Sequence, residues 1–314
     1  MLVDSGSDLV LLSLDVALLL GMQPWQMRFG QARMVDGKLC SVCRAPTGLR
    51  VGIWGFTPRE LPAIVLEKPT PTSSSYDCFG RSALFGPLTL VFELSRSGPR
   101  VAVFHPRVEI FPRPPASSGL EDPFESVWSS SEPYGRAGGE GWESFACQSE
   151  GPLSIAKPIV PVRLWSKEDR FVEVPMLVDT GADLTVLPIS LARRLGLPLW
   201  RMPRQRMLRA DGVRHEGSRG AGVKLHAQVG DLPPVTLPFV VIEDAGTPHW
   251  QGNLSHVGML GQYRIVFHRQ GAKDRVTFLD RERFPPVEGP GVEGPPMAYA
   301  MNPTHSSFVD DADP

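Results

Sequence analysis

Two short stretches hold the residues most able to do chemistry. Residues 176–188 read MLVDTGADLTVLP and residues 1–13 read MLVDSGSDLVLLS. In each, an apolar strand delivers one carboxylate, Asp179 or Asp4, into a turn made by Thr180 and Gly181 or by Ser5 and Gly6. A carboxylate at the end of a buried strand is costly in its charged form unless hydrogen bonds or a partner compensate. A Thr or Ser hydroxyl supplies a donor, and glycine, lacking a Cβ, lets backbone N–H groups come close to the carboxylate oxygens. Two carboxylates held about 3 Å apart cannot both ionise, so they share a proton: one acts as base on a water while the other polarises a carbonyl. Such general acid–base catalysis is typically worth about 10²- to 10⁴-fold in rate.

Elements able to position these turns flank both of them. After Asp4, the spacing of Leu9, Leu12, Val16 and Leu19 predicts a short helix ending at Gly21; its counterpart, residues 189–195, ends at Gly196. Asp36-Gly37 and Asp211-Gly212 favour tight hairpins with positive φ. Buried strands are expected at residues 63–66 and 238–242. Two closing hairpins follow, residues 88–93 with 100–104 and residues 264–268 with 275–279. Asp8 and Asp183, four residues beyond the first carboxylates, are read as polar side chains starting the next element, with a role as extra catalytic acids as the alternative.

The two stretches belong to an internal repeat. At an offset of 175, Gly21 falls on Gly196, Trp25 on Trp200, Met27 on Met202, Asp36-Gly37 on Asp211-Gly212, and Phe92 on Phe267. Leu84-Phe85-Gly86 falls on Met259-Leu260-Gly261, each Gly standing 82 residues after its Asp, and Leu61-Pro62 matches Leu237-Pro238 at an offset of 176. Each copy resembles a retropepsin-like aspartic protease domain of the bacterial aspartyl protease type: apolar strand, Asp-Thr/Ser-Gly, apolar run, flap hairpin, and two apolar residues with Gly before a final hairpin. The resemblance implies a mostly β fold with two acid-protease β-barrel lobes in tandem, related by a pseudo-twofold. Lobe 1 would span residues 1–111, a Ser/Pro/Gly-rich linker 112–157, lobe 2 residues 158–284, and a disordered Pro/Gly-rich tail 285–314. The linker also carries Phe124, Trp128, Tyr134, Trp142 and Phe145, so part of it is expected to dock on a lobe. The family usually has a basic or small residue after the late Gly, whereas Pro87 and Gln262 stand there in this chain. Copy 1 has no counterpart of residues 159–175, so either a segment upstream of Met1 supplies those strands or copy 1 borrows a strand from elsewhere.

Composition narrows the partners. Lys plus Arg number 32 against 34 for Asp plus Glu, which gives no field pointing to nucleic acid or anionic membrane. No run of about 20 apolar residues predicts a membrane span, and residues 9–22 lack the basic leader of a signal peptide, so a cytoplasmic location is favoured. Cys40 and Cys43 form a CxxC among only four cysteines, read as incidental thiols beside a hairpin, with a metal site or a disulfide as the alternatives. His215, His226, His249 and His256 show no metal-ligand spacing.

The resemblance implies an aspartic-type endopeptidase acting on a protein or peptide substrate, with no metal or organic cofactor. Asp4 and Asp179 would form the catalytic dyad, supported by Ser5, Gly6, Thr180 and Gly181. Asp36, Gly37, Asp211 and Gly212 would be flap turns, with ordinary surface hairpins as the alternative. Two other arrangements stay open: a homodimer pairing Asp179 with its equivalent in a second chain, and a catalytically inactive module kept for binding or assembly.

Overall fold

The structure, a computed structural model, describes residues 2–33, 39–45, 49–51, 58–66, 77–84, 88–95, 98–104, 133–150, 155–167, 170–208, 214–220, 222–243, 251–270 and 273–284. The expected flap turns Asp36-Gly37 and Asp211-Gly212 and the expected tail 285–314 lie outside these residues, as does most of the expected linker.

The fold is mostly β, as the apolar and β-branched runs predict. In the N-terminal half, β1 (Leu2–Val3), β2 (Val10–Ser13), β3 (Arg28–Arg33) and β4 (Leu39–Arg44) precede a separate hairpin of β5 (Leu49–Val51) and β6 (Arg59–Leu61). With β7 (Ala63–Leu66) and β8 (Cys78–Phe79), the first four strands form a sheet in the order β1-β8-β2-β7-β4-β3. The sequence reading extended the helix back to Leu9; in the structure residues 10–13 are strand and the helix is Leu14–Leu19. Strand β2 lies between β8 and β7 and is buried at all four positions. A short run apolar on both faces suits a central strand as well as a helix, and its sheet neighbours decide the matter. Ser13 then caps the helix, its Oγ accepting from the Val16 N–H at 3.4 Å, and Gly21 at φ +79° ends it.

Next come β9 (Thr89–Ser95), β10 (Gly98–Phe104), β11 (Ala137–Gly139), β12 (Trp142–Ala146), β13 (Gln148–Glu150) and β14 (Ile155–Lys157). The C-terminal half contains β15 (Ile159–Lys167), β16 (Arg170–Asp179), β17 (Thr185–Pro188), β18 (Arg204–Leu208), β19 (Arg214–Arg219), β20 (Leu225–Val229), β21 (Val235–Leu237), β22 (Phe239–Ile242) and β23 (Asn253–Ser255). These nine form one sheet in the order β18-β19-β22-β17-β23-β16-β15-β20-β21. Strands β24 (Tyr263–Gln270) and β25 (Lys273–Asp280) close the described chain.

A six-stranded sheet, β10-β9-β24-β25-β12-β11, joins the two halves. At its centre β9 and β24 run antiparallel, with Phe92 opposite Ile265 and Leu90 opposite Phe267. The Phe92 and Phe267 rings meet edge to face with centroids 5.5 Å apart. Beside them Arg264 Nε donates to Glu93 Oε2 at 2.7 Å, and both side chains are buried. Of the aromatics in the Ser/Pro/Gly-rich stretch, Phe145 is fully buried, Tyr134 and Trp142 are half-buried, and β12 pairs with β25; Phe124 and Trp128 lie outside the described residues. Arg136 clamps this docked segment, donating to Glu143 at 2.9 and 2.7 Å and to Asp231 at 2.6 Å.

The strands laid parallel to the carboxylate-bearing strands β1 and β16 are β8 and β23. Leu84 closes a helix, Arg81–Leu84, and Met259, Leu260 and Gly261 lie in another, Met259–Gln262. In the first half Gly80 and Arg81 follow β8.

The buried Glu93–Arg264 pair generates a stability prediction. Glu93→Leu leaves the guanidinium without its carboxylate and should cost about 3–5 kcal/mol, whereas Glu93→Leu with Arg264→Leu should recover most of that loss. Urea unfolding of the two variants checks it.

Candidate functional site

Asp179 ends β16 and Asp4 follows β1, so the two carboxylates sit at equivalent strand ends, one from each half. Strand β8 supports the first, the Asp4 N–H donating to the Phe79 carbonyl at 3.0 Å. Strand β23 supports the second, with Asp179 registered opposite Ser255. Each turn folds back on its own acid: the Gly6 N–H donates to Asp4 Oδ1 at 2.7 Å and the Gly181 N–H to Asp179 Oδ1 at 3.0 Å.

The turns then interlock. Ser5 Oγ accepts from the Thr180 N–H at 2.9 Å and donates to the Val178 carbonyl at 2.7 Å. Reciprocally, Thr180 Oγ1 accepts from the Ser5 N–H at 3.0 Å and donates to the Val3 carbonyl at 3.0 Å. Sequence reading assigned these hydroxyls to orient the carboxylates of their own turns; in the structure each crosses to the other turn. The glycines allow the approach. A Cβ on Gly181 would lie 2.6 Å from Asp4 Cγ, and one on Gly6 would overlap the Asp179 carboxylate. Asp4, Ser5, Gly6, Asp179, Thr180 and Gly181 are thus brought into one site.

The electrostatics follow from this proximity. Asp4 is pushed up from the ordinary carboxylate range to about 8, first by burial, then by the charge of Asp179 and the hydrogen bond the two acids share. The Gly6 N–H and the Arg81 guanidinium pull the other way and do not win. Burial and the neighbouring acid thus disfavour the charged form of Asp4.

Residues outside the motif complete the site, and they differ between halves. Asn253 is buried and donates from Nδ2 to Asp179 Oδ2 at 2.6 Å. The motif reading did not single it out, although it stands 74 residues after Asp179 as a polar residue beside the apolar Leu254. At the matching place beside Asp4 stands Cys78, a buried free thiol whose pKa burial raises first and the charge of Asp4 second. Arg81, almost fully buried, donates to the Ser5 carbonyl and pairs with Asp8, so Asp8 is engaged in holding the first turn. Its counterpart in the other half is His256, which burial keeps neutral against the opposing charges of Asp183 and Asp179. Asp183 is exposed.

Of the CxxC pair, Cys43 is buried, while the Cys40 side chain lies outside the described residues. Among the described residues no helix is long and apolar enough to cross a membrane.

Comparison with known proteins bears on the second half. A family model described as aspartyl protease matches residues 160–263, which contain Asp179, Thr180, Gly181 and Asn253. No curated protein matches the chain. Among solved structures, the aspartic proteinase from Irpex lacteus is similar with a TM-score of 0.44 and 11% identity, covering 88% of each chain.

The raised Asp4 has a consequence for folding. Its folded pKa, about 8, lies above the ordinary value of 3.8, so the native state holds a proton that the unfolded chain releases. Its contribution is fully present below about pH 4 and is lost as pH rises towards 8. Asp4→Asn should remove that slope and raise stability at pH 8 by at least about 1 kcal/mol, one pKa unit being worth about 1.4 kcal/mol. Thermal unfolding of both proteins from pH 4 to 8 measures it.

Proposed function

We propose that this chain is an aspartic-type endopeptidase in which Asp4 and Asp179 of one polypeptide form the catalytic dyad of a two-lobed, retropepsin-like protease. The observation that carries the reading is the shared site itself. Two carboxylates from equivalent turns lie side by side, the pKa of Asp4 raised by burial and by Asp179, and each turn is clamped to the other by its neighbour's hydroxyl. The aspartyl protease family match across residues 160–263 supports the same reaction class. In this reading lobe 1 is residues 1–111 and lobe 2 residues 158–284, and the six-stranded sheet is the seam between them.

The roles follow from the asymmetry. Asp179, which receives the Asn253 amide, is given the role of the base that takes a proton from the attacking water. Asp4 carries the proton and donates a hydrogen bond to the scissile carbonyl, whose oxygen gains charge as the tetrahedral intermediate forms. The proton taken by Asp179 then passes to the leaving amine, and the carbonyl re-forms as the C–N bond breaks. The dyad returns to its singly protonated state. Ser5 and Thr180 position the acids without touching substrate. The hairpins β3–β4 and β18–β19 flank the candidate flap turns at residues 36–37 and 211–212.

Hydrolysis of a casein or peptide-library substrate tests the reading. Asp179→Asn and Asp4→Asn should each abolish turnover with the far-UV circular dichroism retained, and the double variant should be no worse than either, because groups acting as a unit are not additive. A silent Asp4→Asn together with specific activity that falls on dilution would instead assign the site to a homodimer of the second half. Activity should also decline on the alkaline side as pH rises through about 8, where Asp4 loses its proton. Asn253→Leu, which removes the donor to Asp179 Oδ2, should lower kcat and leave the alkaline limb of the pH profile in place.

A further inference from the structure

Asp8 and Asp183 each stand four residues beyond an acid of the dyad, exposed and just ahead of β2 and β17. The strands beside them correspond in register. Leu2 lies opposite Cys78 as Leu177 lies opposite Asn253, and Leu11 pairs with Cys78 as Val186 pairs with Asn253. Counting three residues on from Cys78 and from Asn253 reaches Arg81 and His256, which therefore occupy the same place in the two halves.

The exchange of Arg for His changes what that place can hold. In the N-terminal half the Arg81 main chain ties the turn, its N–H donating to the Ser7 carbonyl at 2.8 Å, and the guanidinium is left to pair with Asp8. In the C-terminal half the His256 ring itself is hydrogen-bonded to the backbone of Ala182, the residue matching Ser7. That bond favours a proton on the ring, so the ring is its donor. Nδ1 is buried without a hydrogen-bond partner, which leaves Nε2 as the nitrogen that donates. Burial lowers the ring's pKa below its ordinary value and keeps it neutral. A neutral imidazole whose single N–H is committed offers Asp183 neither a charge nor a donor. Among the described residues Asp183 has no ion-pair or hydrogen-bond partner, whereas Asp8 has the Arg81 guanidinium.

We propose that this exchange makes Asp183 a specificity-determining residue: its carboxylate receives a Lys or Arg side chain of the bound peptide on one side of the scissile bond, while Asp8, occupied by Arg81, forms no such subsite on the other. The inference rests on the reading of Asp4 and Asp179 as a peptidase dyad. The His256 ring feels the charges of both Asp183 and Asp179, so the free carboxylate belongs to the surroundings of the dyad. An extended peptide lying across the two turns, at about 3.3 Å per residue, brings side chains a few residues from its scissile bond to Asp8 at one end and to Asp183 at the other. Charge complementarity at one end alone discriminates between peptides that fill the cleft equally well. His256 acts here as a positioning residue, holding the Ala182 backbone without cancelling the charge beside it.

Matched fluorogenic peptides with Lys, Gln or Glu at successive positions on either side of one scissile bond test the proposal by kcat/KM. Lys should exceed Gln by about two- to fivefold at a position on one side, the worth of a solvent-screened ion pair, with no such ratio at the mirror position. Asp183→Asn should bring the ratio to one. Asp183→Lys should invert it in favour of Glu, which a purely structural role for Asp183 would not do. His256→Arg, which gives Asp183 the partner that Arg81 gives Asp8, should also abolish the preference for Lys. Hydroxyethylene isosteres of the same peptides, titrated by fluorescence anisotropy against Asp179→Asn, read the preference without turnover. A protein that cleaves nothing yet binds the Lys isostere more tightly keeps the subsite and overturns only the protease reading. Turnover at equal rates for Lys, Gln and Glu, a preference that survives Asp183→Asn, or no binding of any isostere overturns the subsite.

Discussion

The site depends on the reciprocal crossing of two hydroxyls. Ser5 and Thr180 each accept an N–H from the opposite turn and donate to the carbonyl just before the opposite turn. A neutral buried hydrogen bond is worth only about 0.5–1.5 kcal/mol net, so the four together are modest as stability. Their larger effect is geometric. They bring two acids so close that only glycine fits beside each, and they hold that separation against the repulsion the acids would feel if both were charged. The raised pKa of Asp4 is the consequence of that constraint, since burial and the neighbouring charge outweigh the donors around it.

Around this clasp, the two halves satisfy the same need with different chemistry. On one side a guanidinium, Arg81, pairs with Asp8 and holds the Ser5 carbonyl; on the other a neutral His256 stands in its place. Beside Asp179 an amide donates, and beside Asp4 a thiol sits where burial keeps it protonated. A pair of identical chains would give both acids one environment. A single chain with two unequal halves does not, and here it is Asp4 whose pKa is raised, by burial and by its neighbour's charge.

The scaffold transmits this arrangement through the joining sheet. Strands β9 and β24 pair across the halves, the Phe92 and Phe267 rings meet there, and the Glu93–Arg264 ion pair is buried alongside. A buried ion pair contributes little net stability over an apolar pair of the same shape, because desolvation offsets its attraction. It does penalise any slip of one half along the other, since a shifted register would strand a charge. The same sheet takes in β12, which is why a stretch of linker-like composition carries a fully buried Phe145.

Much was legible in local sequence. The two acid turns, their glycines, the offset of 175 and the closing hairpins are matters of short-range pattern, and the structure has strands β7, β22, β9, β10, β24 and β25 where that pattern expects them. Tertiary structure decided what depends on residues far apart in the chain. Residues 10–13 became strand because β7 and β8 flank them, although their spacing also suits a helix. The Thr180 hydroxyl reaches Val3, and Asn253 reaches Asp179, through pairings no local window contains. The raised pKa of Asp4 follows from the same cause: a carboxylate's burial and its distance to another charge are properties of the folded chain, and sequence alone specifies only which residues are available to be brought together.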